Sequence, residues 1–142
     1  MPYATSITLL EDGKLEMMEQ NALLFDGRVA YDDEYEGLAL ASDEGDRLAR
    51  KIGNKSILFM ASHGVVVAGP TVADAFNDLY YLERASMFQV LAKSQGGKLR
   101  AISDRVRRET KAQFVDEAPK LASRHFSALR MVLDNTEPAY RH

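Results

Sequence analysis

The sequence predicts an α/β fold whose second half is helical. Three observations carry that expectation. Two apolar runs rich in β-formers, one from Ile57 to Ala61 and one from Val65 to Ala68, flank a single polar corner, Ser62-His63-Gly64. Such runs read as buried strands. From Thr71 onward apolar residues recur at helical spacing, with Gly96 and Gly97 as the first clear stop. The chain has 142 residues, enough for one domain with a core.

Taken in order, Thr5 to Leu10 is β-rich and closes on a turn at Glu11-Asp12-Gly13-Lys14, so a strand is expected there. Glu16 to Phe25 reads as a short helix, with Met17, Met18, Ala22 and Phe25 near helical spacing and Gly27 as its stop. Arg28 to Tyr31 reads as a short strand. The acidic stretch Asp32 to Gly37 reads as a solvated loop. Its clustered carboxylates could bind a hard cation, but their spacing fits no calcium loop. Ser42 to Ile52 is expected to be a helix. Ser42 suits its N-cap, Asp43 and Glu44 suit its positive end, Leu48 and Ile52 form a modest buried face, and Gly53 stops it.

Thr71 to about Gln95 should be the longest clear helix, with Thr71 and Asp74 resembling a capping box. Phe76, Leu79, Tyr80, Met87, Val90 and Leu91 mark its expected core face. Glu83 falls on that face, where a carboxylate must be paired. A structural hydrogen bond to backbone or to an arginine is the expectation, against a catalytic role. From Ser103 the chain reads as helical to about Asp134, with a break near Pro119. The first part carries a thin stripe of Ile102, Val106 and Phe114. The second carries a firmer face of Leu121, Ala122, Phe126, Leu129, Val132 and Leu133. His125 lies beside that face as a core or interface residue rather than a ligand.

Composition excludes several classes. There are no cysteines, which removes disulfides, thiolate metal sites and cysteine nucleophiles. No apolar run reaches the roughly 18–20 residues that span a bilayer. Met1 to Ala4 has neither a basic n-region nor an apolar h-region, so the cytoplasm is the expected location. Residues 1–50 carry 4 basic and 12 acidic side chains, and residues 96–142 carry 10 basic and 6 acidic ones. An acidic front and a basic tail favour contact, within one chain or between subunits. No basic patch is interleaved with exposed aromatics, so neither nucleic acid nor membrane is an expected partner.

The residues around the corner resemble the class II aldolase/adducin family. Its members have an apolar strand, an Asn-His-Gly or similar corner, a second apolar strand, and a helix that opens on Thr-Val and runs into an aromatic-Leu-Glu-Arg-Ala segment. Here these are Leu58 to His63, Gly64 to Gly69, Thr71-Val72, and Tyr80 to Ala85. Pro2 to Thr5, Gln20 to Phe25, Arg28 to Tyr31, Glu44 to Leu48, Arg124 to Leu129 and Leu133 to Pro138 extend the likeness over essentially the whole chain. The resemblance implies a three-layer α/β/α sandwich with a mixed, mostly antiparallel sheet and long C-terminal helices. It also implies that residues 1–142 form a single domain, class II aldolase-like and incomplete at its N-terminus.

Enzymes of the family bind one divalent metal, usually zinc, through three histidines. Two come from a His-x-His pair and the third from the His-Gly corner. The metal polarises a carbonyl and stabilises an enediolate during retro-aldol cleavage, and a Glu upstream of the pair is the acid/base. His63 matches the third ligand. The pair would stand immediately before Pro2, and Met1 takes the position after its second His, so pair and upstream Glu are both missing. Ser62 replaces the usual Asn. His125 and His142 match no family ligand. The expectation is therefore a protein related to metal-dependent lyases that act on a small hydroxy-carbonyl or sugar-phosphate-like substrate, and not catalytically competent as this chain alone. The alternative is a non-catalytic assembly domain of adducin-head type. The family resemblance and the sheet edges left unpaired make a homo-oligomer the expected state. Pro2 to Thr5 following Met1 also fits an internal methionine taken for the first.

Overall fold

The structure, a computed structural model, describes residues 1–35, 37 and 42–141, without the side chains at 42, 116 and 119. Glu36 of the acidic loop, the Ser42 side chain and His142 thus lie outside the described residues. The elements are α1 (Pro2–Thr8), β1 (Val29–Asp32), α2 (Ser42–Ile52), β2 (Ile57–Met60), β3 (Gly64–Val67), α3 (Val72–Ser94) and α4 (Asp104–Thr136), with 3₁₀ turns at Ala22–Phe25 and Pro138–Arg141.

The three strands form one mixed sheet in the order β1-β2-β3. β1 runs parallel to β2 with Val29 opposite Ile57, which requires the crossover that α2 supplies. β2 and β3 are antiparallel, joined by the tight corner, with Met60 opposite Gly64. All four residues of β2 are buried, as a central strand demands. Alternation sorts them. Ile57 and Phe59 join Ala4, Ile7, Leu15, Phe25, Leu82 and Ala85 in the core beneath α1 and α3. Met60 points the other way, toward Leu48 of α2. Helices therefore cover both faces, giving the α/β/α layering. β3 is an edge strand that is only partly covered, with Val66 exposed, which corrects the expectation of two fully buried strands.

The first correction of element type concerns residues 5–10, which are not a strand. Residues 2–8 are helical. Pro2 occupies the first turn, where its missing N–H costs nothing. Glu83, about 80 positions later, accepts from the backbone N–H groups of Tyr3 and Ala4 at 3.0 and 2.9 Å. The Ser6 and Thr8 hydroxyls bond back to the carbonyls of Tyr3 and Thr5. Ala4, Ile7 and Thr8 then face the core at helical spacing. This cap is the structural role expected of Glu83, with backbone as the partner. Replacing Glu83 by Ala should cost about 2 kcal/mol, because two partly buried backbone donors lose a charged acceptor. Gln should recover part of it, and chemical denaturation would measure both.

The second concerns residues 16–25, where only Ala22–Phe25 is helical, as a 3₁₀ turn. Side chains take the bonds that a helix would have made. Gln89 accepts from the Glu16 N–H and donates to the Lys14 carbonyl, at 2.7 and 2.8 Å. The Tyr31 hydroxyl accepts from Leu15 N–H, and the Glu19 carboxylate accepts from Asn21 and Ala22. With its backbone satisfied, the segment is free to bury Leu15 instead.

The third concerns α3. Its ends are as expected: Thr71 caps Asp74 N–H, and the helix gives way at Gln95 and Gly96. Its buried face is rotated. Asn77, Asp78, Leu82, Ala85, Ser86 and Gln89 are buried, while Phe76, Tyr80 and Leu91 are exposed. Each long polar group on the inner face has a partner: Asp78 pairs with Arg28, Gln89 holds residues 14–16, and Asn77 shares a 3.0 Å hydrogen bond with His125. Ala85 and Ser86 are small enough for close approach. Val90 packs at the core margin as expected.

The fourth concerns α4, which runs unbroken through Pro119. Both halves are docked. Arg107 pairs with Asp26 at 3.1 Å, joining the basic tail to the acidic front. The Phe126 ring meets Phe76 edge-on, with centroids 5.8 Å apart. Tertiary contacts on either side thus hold the helix across the proline. The firm face expected on its second half is largely uncovered: Ala122 is buried, but Leu121, Leu129 and Val132 are exposed.

Candidate functional site

The corner between β2 and β3 is built by local hydrogen bonds. Ala61 N–H donates to the Asp32 carbonyl at 2.8 Å and His63 N–H closes a turn onto Met60 at 3.1 Å. Ser62 N–H reaches across to the Thr8 carbonyl at 3.0 Å, tying the corner to the end of α1. Gly64 follows at φ 141°, a conformation that disfavours a side chain. These bonds present the His63 imidazole outward at the strand end, exposed to solvent.

Ser62 sits at φ 55°, left-handed backbone that costs an ordinary L-residue about 1 kcal/mol or more. Asn tolerates that region because its short amide bonds locally. The Ser in place of Asn noted in the sequence therefore falls on a strained position. Ser62→Asn should stabilise the fold by about 0.5–1 kcal/mol, read as a rise in Tm.

On one side of the corner lies a charged hollow between β1 and α2. Asp32 ends β1 with its side chain 1% exposed, so the reading of residues 32–37 as a solvated loop fails at its first residue. Arg47 grips both carboxylate oxygens, at 2.9 and 2.7 Å. It also binds Glu44 at 2.7 Å and reaches Glu34 at 3.4 Å. Lys51 stands 3.5 Å from Asp32 and from Glu34. The Arg47 hydrogen bond holds Asp32 below the usual carboxylate range against the opposing effect of burial. It does the same for Glu44, which also feels the nearby His63. Arg47 itself is pushed above its ordinary value. The sequence hint for this cluster was two basic residues four apart on one face of α2.

On the other side, a cavity of about 190 Å³ is lined by Thr8, Glu11, Tyr31, Asp33 and Ser62. Burial raises the Tyr31 hydroxyl above its ordinary pKa. The sheet ends and the corner thus open on both sides of His63.

His125 is far from this corner. It lies half-buried among Phe76, Tyr80 and Tyr81, with its ring 4.8 Å from Tyr80, in the packing role expected of it. Among the described residues no three His, Asp or Glu side chains come together as a metal cluster. Asp32, Glu34 and Glu44, which line the same hollow as His63, are paired with Arg47 and Lys51. A catalytic zinc takes three protein ligands, so the donor set described here does not by itself fit one.

The surroundings of His63 and the layering around it match known proteins. The sequence profile of the class II aldolase and adducin N-terminal domain matches residues 1–90. A Caulobacter vibrioides protein whose name places it with the class 2 aldolases is 37% identical over 79 residues, which is 56% of this chain and 30% of that protein. An adducin-related protein of Schizosaccharomyces pombe is 31% identical over 93 residues, 66% of this chain and 28% of that protein. The solved structure of an aldolase II superfamily protein from Pseudomonas syringae superposes on the whole chain with a TM-score of 0.86 at 30% identity, and the chain covers 57% of it. The matches thus span under a third of the two relatives and a little over half of the solved structure. No described helix is long and apolar enough to cross a membrane. With the corner, the mixed sheet and the profile in agreement, the chain belongs to the class II aldolase and adducin family.

Proposed function

We propose that this chain contributes the His63 corner to a divalent-metal lyase site acting on a small hydroxy-carbonyl or sugar-phosphate-like substrate, and that the remaining donors come from outside the described residues. One observation supports this above others: His63 is exposed at a strand end, on a corner that hydrogen bonds to Asp32, Met60 and Thr8 hold in place. On this reading the chain alone is not a catalyst, since one neutral imidazole holds zinc weakly. Zinc titration of the purified protein, followed by imidazole ¹⁵N shifts, tests it. His63 should move, His125 should not, and no zinc should survive dialysis. An unmoved His63 would remove it from any metal site. One zinc per chain after dialysis, lost in His63→Ala, would show instead that the chain holds a complete site.

A second reading, a non-catalytic assembly domain of adducin-head type, is favoured by a separate observation. The outer faces of α3 and α4 leave a contiguous set of apolar side chains uncovered, among them Phe76, Tyr80, Leu129 and Val132. Large exposed apolar patches mark interaction surfaces.

A further inference from the structure

We infer that the uncovered groove between α3 and the end of α4 receives the tip that follows α1 in a second copy of this chain. The inference rests on the assembly reading and goes beyond it by assigning both surfaces.

The groove is about 670 Å³ and is walled by Phe76, Phe126, Leu129, Leu133 and Tyr140, with Arg130 on its rim. Val132, which also lines it, is 58% exposed. The tip has the complementary character. Leu9 and Leu10 protrude together, 64% and 60% exposed, from the tight turn that ends α1. Glu11 and Asp12 follow directly, both exposed. Two leucines provide the apolar filling for a groove of aromatic and aliphatic walls. Two carboxylates behind them meet the arginine of its rim. The division of the whole chain, with 12 acidic side chains against 4 basic in residues 1–50 and 10 basic against 6 acidic in residues 96–142, gives the same polarity over longer range. Complementary charge of this kind steers encounter and fixes register, while the buried leucines supply the affinity. Leu9, Leu10 and Glu11 of the tip also wall the cavity beside Ser62, and none of residues 9–12 lines the groove, so one copy presents both surfaces.

Sedimentation velocity on the 142-residue protein tests the pairing. The wild type should associate in the micromolar range. Leu9→Glu with Leu10→Glu, at the tip, should weaken association about tenfold or more, and so should Leu129→Glu in the groove. Glu11→Arg with Asp12→Arg should weaken it, as should Arg130→Glu alone. The three charge reversals combined in one chain should restore it, a recovery that misfolding cannot produce. A wild type that stays monomeric throughout overturns both the assembly reading and this pairing. An associated wild type indifferent to the tip substitutions keeps the assembly reading and overturns the tip as occupant. Loss through groove substitutions alone overturns it likewise and leaves another face of the second copy in the groove. Failure of the combined reversals to restore association overturns the Arg130 contact.

Discussion

Replacing Arg47 by Ala should lower the stability of the fold by about 3 kcal/mol, the scale expected when one partner of a buried ion pair is removed. The magnitude follows from what is left behind. The Asp32 carboxylate is 1% exposed and would lose a two-pronged hydrogen bond, at 2.9 and 2.7 Å. Lys51, at 3.5 Å, is 38% exposed and offers charge without the planar fork. Arg47→Lys should therefore recover only part of the loss. The pH dependence carries a sign that distinguishes this cause from simple loss of packing. Arg47 holds Asp32 below the usual carboxylate range, so the stabilisation is present above the unfolded pKa of about 3.9 and fades as pH falls through the lower folded value. In Arg47→Ala the burial remains and the guanidinium does not, so the Asp32 pKa should rise. The gap between the two proteins should be widest at neutral pH and close in acid, which urea melts across pH would show. Asp78 has the opposite sign. Burial pushes it up despite its pairing with Arg28, so its contribution is present below the unfolded pKa and is lost as pH rises through the folded one. The two buried aspartates thus pull the acid limb in opposite directions. The Arg47 variant isolates one of them.

The same contrast between local and distant partners explains which parts of the fold were legible in the sequence. The corner could be read because everything that makes it is adjacent in the chain: two β-rich runs, a short polar turn, and Gly64 where backbone demands it. α2 and the start of α3 carry their own signals in Asp43, Glu44, Gly53 and the Thr71 cap. The helix at residues 2–8 could not be read, because the group that caps it is Glu83. The irregular path of residues 14–19 depends on Gln89 and Tyr31 in the same way. The inner face of α3 defied its periodicity because Asp78, Asn77 and Gln89 are buried only by virtue of Arg28, His125 and the Lys14–Glu16 backbone. Phe76, Tyr80 and Leu91, expected in the core, are exposed on the same helix. At the corner, position alone picks out His63 as a candidate, whereas Asp32 of the Asp32–Arg47 clamp reads as part of a solvated loop. Four carboxylates among the six residues 32–37 conceal that the first of them ends a strand.

Replacing Gly13 by Ala should cost about 3 kcal/mol, near the upper end for overpacking, because the obstruction is backbone. A Cβ at this position would fall on the Ile7 carbonyl oxygen and lie 2.8 Å from the Leu10 carbonyl oxygen. Neither oxygen can move alone. The Ile7 carbonyl accepts from Leu10 N–H at 3.2 Å, the Leu10 carbonyl accepts from Gly13 N–H at 3.0 Å, and the Ile7 side chain is buried in the core. Relief requires the end of α1 to shift as a unit. That end carries the Thr8 carbonyl, the acceptor for Ser62 N–H at 3.0 Å. The strain should therefore reach the His63 corner, and hydrogen exchange at the Ser62 amide should accelerate more than the global loss accounts for. Gly45 serves as the control, since a Cβ there meets nothing within 4 Å and the residue lies inside α2. Gly45→Ala should stabilise by up to about 1 kcal/mol through helix propensity alone and leave the Ser62 amide unchanged. If Gly13→Ala melts like the wild type, the close passage of the turn over α1 is not what holds the corner, and Ser62 would be positioned by the β2–β3 hairpin alone.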